Sequence, residues 1–354
     1  MMAANECIIR QQNMPEGPQA RVLFFGGAHI SKETAAPVFD AELKRYACEH
    51  DYRCGALDSG GDTAGWLKEQ DVDLVSLPGM TLDELSAARE QLGPAAIIGA
   101  GENRALANRP EVRSINGVRL GFLSVGETKP NGGSDYAVEA DIEDLSVYDH
   151  IRMLLPQCDH VVVFCRAGLP GFGLPLPEWR ERYRHLIEAG ASVVLGVQPD
   201  EPTGWEEYGR GAVFYGLGKL TDGSLSVSMT FERNGRFTYE ARLLETIDAV
   251  IGFSADDAKK EAINEKNALL TDEARYLDEA ECACVAFYQA EGYEALFNPN
   301  PKRGVLSGLL RKKQQGGRRD DETTLKELLA ETSRRFAVLR ALEAKRRTKA
   351  GDAK

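Results

Sequence analysis

Histidine, carboxylate and thiol side chains are the residues of this chain that could support metal or nucleophilic chemistry, and their spacing is sparse. There are only five histidines in 354 residues. His50, His150, His160 and His185 occupy helix-like or strand-edge contexts without the spacing of metal ligands. His29 lies near a predicted strand end, where a lone histidine is typically a hydrogen-bonded structural residue.

The cysteines do not form a recognisable catalytic or disulfide pattern. Their odd number and scatter favour reduced cytosolic thiols over a disulfide framework. On a helix the Cys282 and Cys284 side chains point about 200° apart, which favours small core residues over a metal pair. The Cys165-Arg166 pair lacks the later arginine of a thiol phosphatase loop. The seven are Cys7, Cys48, Cys54, Cys158, Cys165, Cys282 and Cys284.

Glycine-bearing loops and a few acids are the remaining candidates. The loops at residues 55–65 and 168–173 lack both phosphate-binding patterns, GxxxxGK[ST] and strand-GxGxxG-helix. Asp58, Asp62 and Glu102 are candidate pocket carboxylates, although surface acids are the commoner role for such residues.

The elements that would position these residues alternate between strands and helices. Amphipathic helices are predicted at Leu82–Leu92 and Trp179–Ala189. Asn234-Gly235 predicts a two-residue hairpin turn, because both positions tolerate positive φ. Short apolar runs predict buried strands at Val22–Gly26, Val72–Leu77, Ala95–Gly99, Val118–Val125, His160–Phe164, Ser192–Gly196 and Ala212–Tyr215.

Residues 190–220, GASVVLGVQPDEPTGWEEYGRGAVFYGLGKL, carry a family resemblance. The segment resembles the C-terminal signature of the bacterial capsule synthesis (CapA-type, poly-gamma-glutamate synthesis, PGA_cap) family, GADVVIGHHPHVxQxxExYxGxxIxYSLGNF. The resemblance places the metal-binding histidines of that signature on Gln198 and Asp200. The surrounding strand, turn and Gly-Leu-Gly residues are retained.

Three further motifs extend the resemblance over roughly residues 20–245. The family's Asn-His pair falls on Gly79 and Met80, while Asp83 matches. Its His-Trp-Gly falls on Arg166-Ala167-Gly168, and its Gly-Asp falls on Gly26-Gly27. His29 takes the place of the histidine in the Asp-x-His motif of calcineurin-like phosphoesterases.

The resemblance implies a four-layer α/β/β/α metallophosphoesterase-like sandwich with a C-terminal helical extension. Two-metal hydrolysis needs several oxygen or nitrogen ligands around ions about 3.5–4 Å apart, and glycine, methionine and arginine do not supply them. We therefore expect no cofactor and a pseudoenzyme or anion-binding protein of capsule, polysaccharide or polyanion biosynthesis. The candidate pocket residues are His29, Asp58, Asp83, Arg166, Gln198 and Asp200.

Two alternatives remain open at this level. One is an active hydrolase that binds a divalent metal such as Mn or Mg through Asp58, Asp83, Gln198 and Asp200. The other is an interaction protein that acts through its basic C-terminal helix. Metal content distinguishes the first alternative, and deletion of the tail distinguishes the second.

The predicted organisation is a flexible N-terminus (1–20), a CapA-like domain (21–250), a helical extension (251–298) and a basic helical tail (299–354). Residues 301–354 carry 16 Lys and Arg against 7 Asp and Glu, whereas the whole chain has a net charge of −12. An apolar face of Leu325, Leu328, Leu329, Phe336, Leu339 and Leu342 is predicted on this tail.

The predicted partners are an anionic small molecule or polymer and, through the tail, a protein, a second copy or a membrane surface. Nucleic acid is disfavoured, because the rest of the chain is acidic and the tail lacks interleaved aromatic residues. Without a signal peptide or a long apolar run, the expected location is the cytoplasm.

Overall fold

A computed structural model of the protein describes residues 8–9, 17–30, 36–57, 63–127, 137–169, 171–197, 200–293 and 321–351. The chain divides into two compact units, Met1–Asp272 and Glu273–Lys354. This boundary falls inside the predicted extension, 251–298.

The strands of these residues are β1 (Ile8–Ile9), β2 (Gln19–Ala28), β3 (Val38–Phe39), β4 (Tyr52–Leu57), β5 (Leu74–Ser76), β6 (Ala96–Ile98), β7 (Ala100–Gly101), β8 (Glu111–Ile115), β9 (Val118–Gly126), β10 (Val138–Glu139), β11 (His160–Arg166), β12 (Val193–Gly196), β13 (Pro202–Tyr208), β14 (Gly211–Lys219), β15 (Gly223–Glu232), β16 (Phe237–Ile247) and β17 (Val250–Phe253). The helices are α1 (Ala41–Cys48), α2 (Thr63–Glu69), α3 (Leu82–Leu92), α4 (Arg104–Ala107), α5 (Ser146–Leu154), α6 (Pro177–Ala189), α7 (Asp257–Thr271), α8 (Glu273–Ala290), α9 (Asp321–Ala330) and α10 (Thr332–Gly351).

The first unit is built on two sheets that meet at β14. One runs β3-β17-β16-β15-β2-β4-β5-β6, and the other runs β13-β14-β12-β11-β9-β8. The end of β14 joins them, because Lys219 pairs with Gly27 of β2 while the body of β14 pairs with β12. The central strands β5, β4 and β2 are parallel, as are β9, β11, β12 and β14. Their carboxyl ends therefore lie along one edge of each sheet.

Alternating side chains on these strands pack in two layers. Phe24 of β2 and Phe164 of β11 lie in the core between the sheets, with ring centroids 6.0 Å apart. Leu23 and Phe25 point the other way and pack with residues of α1, α2 and α3. Helices α5 and α6 contact the outer face of the second sheet at β9, β12 and β14. The predicted α/β/β/α sandwich is confirmed.

Capping residues explain where α3 begins and ends. Thr81 forms a capping box with Glu84, and Gly93 ends the helix at φ 62°, so α3 has the predicted bounds Leu82–Leu92.

The hairpin at Asn234-Gly235 also forms, but the prediction of a two-residue turn is wrong. Glu232 N donates to Arg236 O at 2.8 Å, and of the two turn residues only Gly235 has positive φ, 83°. Asn234 does not have positive φ, and its side-chain oxygen accepts a hydrogen bond from Arg236 N. The hairpin therefore has a three-residue loop with a glycine bulge.

A strained turn joins β16 and β17. Asp248 and Ala249 have φ values of 50° and 60° between the paired residues Ile247 and Val250. A Cβ in this left-handed region raises the energy by about 1–2 kcal/mol. We expect Ala249→Gly to raise the free energy of unfolding by about 1 kcal/mol, because glycine relieves this strain. The greater conformational freedom of glycine in the unfolded chain offsets part of this gain.

Urea denaturation measures this effect, and Ala262→Gly on the exposed face of α7 is the matched control. That substitution should lower stability by about 1 kcal/mol, because the helical backbone there already suits alanine. If both substitutions lowered the free energy of unfolding, the turn at Ala249 would not be strained.

The second unit corrects the prediction for the tail. The described residues of the tail form two helices, α9 and α10, rather than one. Leu328 is buried, but Leu329 and Leu339 are exposed, and α10 packs along α8 through Ala337, Val338, Ala341 and Ala344. Small side chains three to four residues apart allow two helices to approach closely, and leucine spacing alone does not reveal such a face.

Two helices meet near residue 272. Helix α7 ends at Thr271 and α8 begins at Glu273. Asn267 on α7 accepts a 2.8 Å hydrogen bond from Trp205 N of β13, so α7 is part of the first unit. In the part of the chain that the structure describes, no helix is long and apolar enough to cross a membrane.

Candidate functional site

Arg166, the last residue of β11, spans the gap between the two sheets at their carboxyl ends. Val162 and Phe164 of the same strand face the core between the sheets, and strand alternation aims Arg166 the same way. Its side chain is 3% exposed. Nη2 donates to the carbonyl of Leu57 at the end of β4 and to that of Ser76 at the end of β5, the latter at 3.1 Å.

The core between the sheets becomes polar at this edge. Ser76 Oγ and Ser124 Oγ, on facing strands of the two sheets, are hydrogen-bonded at 2.8 Å, and both residues are buried. Two residues after Ser124, Gly126 pairs with Arg166. Leucine and phenylalanine fill the equivalent positions deeper in the sandwich, so the strand ends form a buried polar cluster of Ser76, Ser124 and Arg166.

Glu139 is a site residue that the sequence analysis missed. A Cβ added to Gly126 would lie 2.1 Å from Glu139 Oε1 and 3.2 Å from Arg166 Cβ. A Cβ added to Gly79 would lie 3.1 Å from Glu139 Oε2. The Glu139 carboxylate therefore occupies space that two glycines leave open beside Arg166. Glu139 and Arg166 are 27 residues apart in the sequence, so no local pattern indicated that they would lie side by side.

Backbone hydrogen bonds hold residues 137–142, which we call the strap, across the strand ends. Ala137 N donates to Met80 O at 2.8 Å and Ala140 N to Gly99 O at 3.0 Å. Gly126 contributes on both sides, because its N–H donates to Ala140 O and its carbonyl accepts from Ile142 N. The strap thus links the segments that follow β5 and β6 with the last residue of β9, and it carries Glu139 over them.

The other predicted pocket residues that the structure describes are exposed or form ion pairs of their own. Asp200 forms a 2.8 Å ion pair with Lys219, at the point where β14 meets β2. His29 follows β2 and is exposed, and Asp83 is exposed in the first turn of α3. Glu102 is exposed and paired with Arg89. Asp58, Asp62 and Gln198 lie outside the described residues.

Buried histidines have structural roles, in keeping with their lack of ligand spacing. In both His50 and His160 one ring nitrogen contacts a backbone carbonyl, of Tyr46 at 2.8 Å and of Glu232 at 2.7 Å. The other nitrogen contacts a serine hydroxyl. Burial lowers the pKa of both imidazoles, which keeps them neutral.

The thiol beside Arg166 is unsuited to nucleophilic chemistry. Cys165 is completely buried and points away from the inter-sheet core that Phe164 occupies. Burial raises the pKa of its thiol well above the usual value, so the reactive thiolate is disfavoured. This agrees with the sequence-based exclusion of a thiol phosphatase.

A small apolar cavity lies after the end of β11. Trp179, Tyr183 and Tyr215 line it, together with Ala167 and Thr203. Thr203 Oγ1 is buried and has no hydrogen-bond partner among the described residues. The Tyr183 hydroxyl contacts the Ala167 carbonyl at 3.5 Å, and burial raises the pKa of this phenol well above its usual value. Without a charged lining group, the cavity is poorly suited to an anion or a metal.

The described residues at the strand ends do not supply the ligands of the metal pair that the resemblance implies. Across the described residues, no group of three or more His, Cys, Asp or Glu side chains is arranged to hold a metal ion. The resemblance places ligands of the family on Gly79, on Met80, which is buried, and on Arg166. These groups are respectively without a donor, soft, and positively charged.

The model of the family described as "Bacterial capsule synthesis protein PGA_cap" matches residues 81–224. Over these residues the chain is PGA_cap-like. The PGA_cap-like segment runs from the cap of α3 to the start of β15 and contains Asp83, the strap, Arg166 and Asp200. It is shorter than the span of roughly 20–245 expected from the motifs, and it leaves out His29 and Asp58.

Solved structures with similarity to the chain include a hypothetical protein from Thermus thermophilus, at 17% identity and TM-score 0.43, covering 63% of this chain and 98% of that one. A putative 5'-nucleotidase from Staphylococcus aureus has 13% identity and TM-score 0.41, covering 70% and 58%. A 5'-nucleotidase from Candida albicans has 9% identity and TM-score 0.41, covering 70% and 57%. The chain thus spans less than two thirds of either nucleotidase. No curated protein matches it.

Proposed function

We propose that this PGA_cap-like chain takes part in capsule, polysaccharide or polyanion biosynthesis as an anion-binding protein without a two-metal hydrolytic centre. The observation that carries the proposal is the position of Arg166. Its buried guanidinium lies where the strand ends of both sheets converge, and the resemblance implies a ligand histidine of the family at this position.

Electrostatics supports this proposal. Two unit charges 4 Å apart at an effective dielectric constant near 20 interact by about 4 kcal/mol, so a divalent cation beside a guanidinium is opposed by about 8 kcal/mol. The carbonyls of Leu57 and Ser76, which Arg166 contacts, carry only partial charges. A phosphate or carboxylate group, by contrast, complements a guanidinium in charge and in hydrogen-bond geometry.

The alternative of an active hydrolase makes different demands on the same residues. It requires Asp58, Asp83, Gln198 and Asp200 to converge as oxygen ligands. In the structure Asp200 is paired with Lys219, and Asp83 lies on the exposed first turn of α3. Metal binding through Asp200 would therefore have to break an existing ion pair.

Metal analysis tests the proposal. We expect the purified chain, dialysed against Mn²⁺ or Zn²⁺ and then desalted, to retain far less than one transition metal per chain by elemental analysis. We also expect no phosphodiesterase activity above the buffer rate on a chromogenic diester with Mn²⁺ present. Reloading before desalting guards against metal lost in purification. About two tightly bound metals per chain would refute the proposal and favour the hydrolase.

A further inference from the structure

The strap places an acidic side chain of the protein itself in the space beside Arg166. Gly126 does not have positive φ, so its backbone does not require glycine. What requires glycine is space, because a Cβ there would collide with the Glu139 carboxylate. Gly79 leaves room on the other side of the same carboxylate. Two glycines and the strap therefore form a cradle for one carboxylate group.

We propose that this cradle is an oxyanion-binding site and that Glu139 is its built-in occupant, which an external phosphate or carboxylate group must displace. The inference rests on the anion-binding function proposed above. It adds the location of the anion, over Gly79 and Gly126, and identifies Glu139 as the group that competes with it.

Charge balance supports this role of Glu139. A guanidinium in a buried position needs a full negative charge nearby, because carbonyl dipoles compensate it only in part. Glu139 brings its carboxylate to the point above Gly126 that Arg166 Cβ also approaches. An external oxyanion in this place would supply the same charge, so the two anions exclude each other.

Exposure makes the exchange feasible. Glu139 is half-buried, whereas its neighbours on the strap, Ala137 and Ala140, are buried. The backbone bonds to Met80, Gly99 and Gly126 can stay in place while the Glu139 side chain rotates towards water. The displaced carboxylate would then be solvated, and the cradle would keep its shape for the ligand.

Calorimetric titration with inorganic phosphate, in EDTA, tests this site. We expect Glu139→Gln and Glu139→Ala to bind phosphate at least tenfold more tightly than the wild type, because the competing charge is gone. The matched control is Glu143→Gln, which removes one negative charge from an exposed side chain just after the strap. It should leave the affinity for phosphate within about twofold of the wild type.

A second substitution fills the space of the cradle. Gly126→Ala in a Glu139→Ala background should weaken phosphate binding relative to Glu139→Ala alone, because the added methyl group occupies the position of the ligand oxygen, provided that circular dichroism shows a folded protein. If both Glu139 variants are folded and bind phosphate no more tightly than Glu143→Gln, the inference is wrong. Equal tightening in Glu143→Gln would also overturn it, because it would show a general charge effect.

The metal measurement keeps this result separate from the proposed function. A chain that binds about two metals refutes the absence of a hydrolytic centre, whatever Glu139 does. A metal-free chain that binds phosphate, but whose Glu139 variants bind it no more tightly than the wild type, refutes only the role of Glu139.

Discussion

Glu206→Ala is expected to lower the free energy of unfolding by about 3–5 kcal/mol at pH 7, the typical loss when one partner of a buried ion pair is removed. Glu206 of β13 accepts hydrogen bonds from Arg184 Nε at 2.6 Å, Arg180 Nη2 at 3.1 Å and Tyr215 OH at 2.5 Å. Arg180 is 3% exposed and also donates to Leu270 O at the end of α7. The Glu206 carboxylate thus connects α6, β13 and β14, and through Arg180 it also connects them with α7.

The pH dependence of this network has a definite sign. Burial alone would raise the pKa of Glu206, but hydrogen bonds from Arg184, Arg180 and Tyr215 outweigh it and hold this pKa below its ordinary value of 4.5. A lowered pKa in the folded state adds stability that is fully present above the unfolded pKa and is lost as pH falls through the folded value. The difference between wild type and Glu206→Ala should therefore persist at pH 7 and shrink below about pH 4.5.

Denaturation in urea at pH 7 measures the effect, and Glu207→Ala is the matched control. Glu207 is the exposed neighbour on the same strand, with a 3.4 Å contact from Tyr239 OH. Its loss should change stability by less than about 1 kcal/mol. A Glu206→Ala effect as small as that of Glu207→Ala would mean that the network adds nothing to stability.

Arg166→Ala is expected to lower the free energy of unfolding by about 3 kcal/mol and to abolish phosphate binding. The substitution opens a cavity between the strand ends and removes the hydrogen bonds to Leu57 O and Ser76 O. It also takes the positive charge away from the Glu139 carboxylate. The burial of Arg166 supports a structural contribution in addition to a charge for the ligand.

A double-mutant cycle measures this charge coupling. Arg166→Ala and Glu139→Ala should be non-additive by about 1 kcal/mol or more, because the two side chains border the same space over Gly126. Lys219→Ala, which breaks the more exposed ion pair with Asp200, is the control and should cost under about 1 kcal/mol. An Arg166→Ala variant with an unchanged melting temperature would contradict the structural contribution.

Much of the layered fold follows from local patterns. The apolar runs from Val118, His160 and Ser192 became β9, β11 and β12 within a few residues, because strands buried on both faces need continuous apolar sequence. The tail shows the limit of such patterns. Its leucine spacing predicted a face, but small residues on α10 were the ones that packed on α8.

The sequence by itself determined the alternation of strands and helices and the PGA_cap-like resemblance that implied the sandwich, because side-chain chemistry and periodicity are local properties. Only the tertiary structure decided what surrounds Arg166. The meeting of Arg166 with Leu57, Ser76 and Glu139 depends on strand register, on the angle between two sheets and on a strap from a distant part of the chain. Contacts between residues far apart in sequence arise from packing, and no local pattern encodes them.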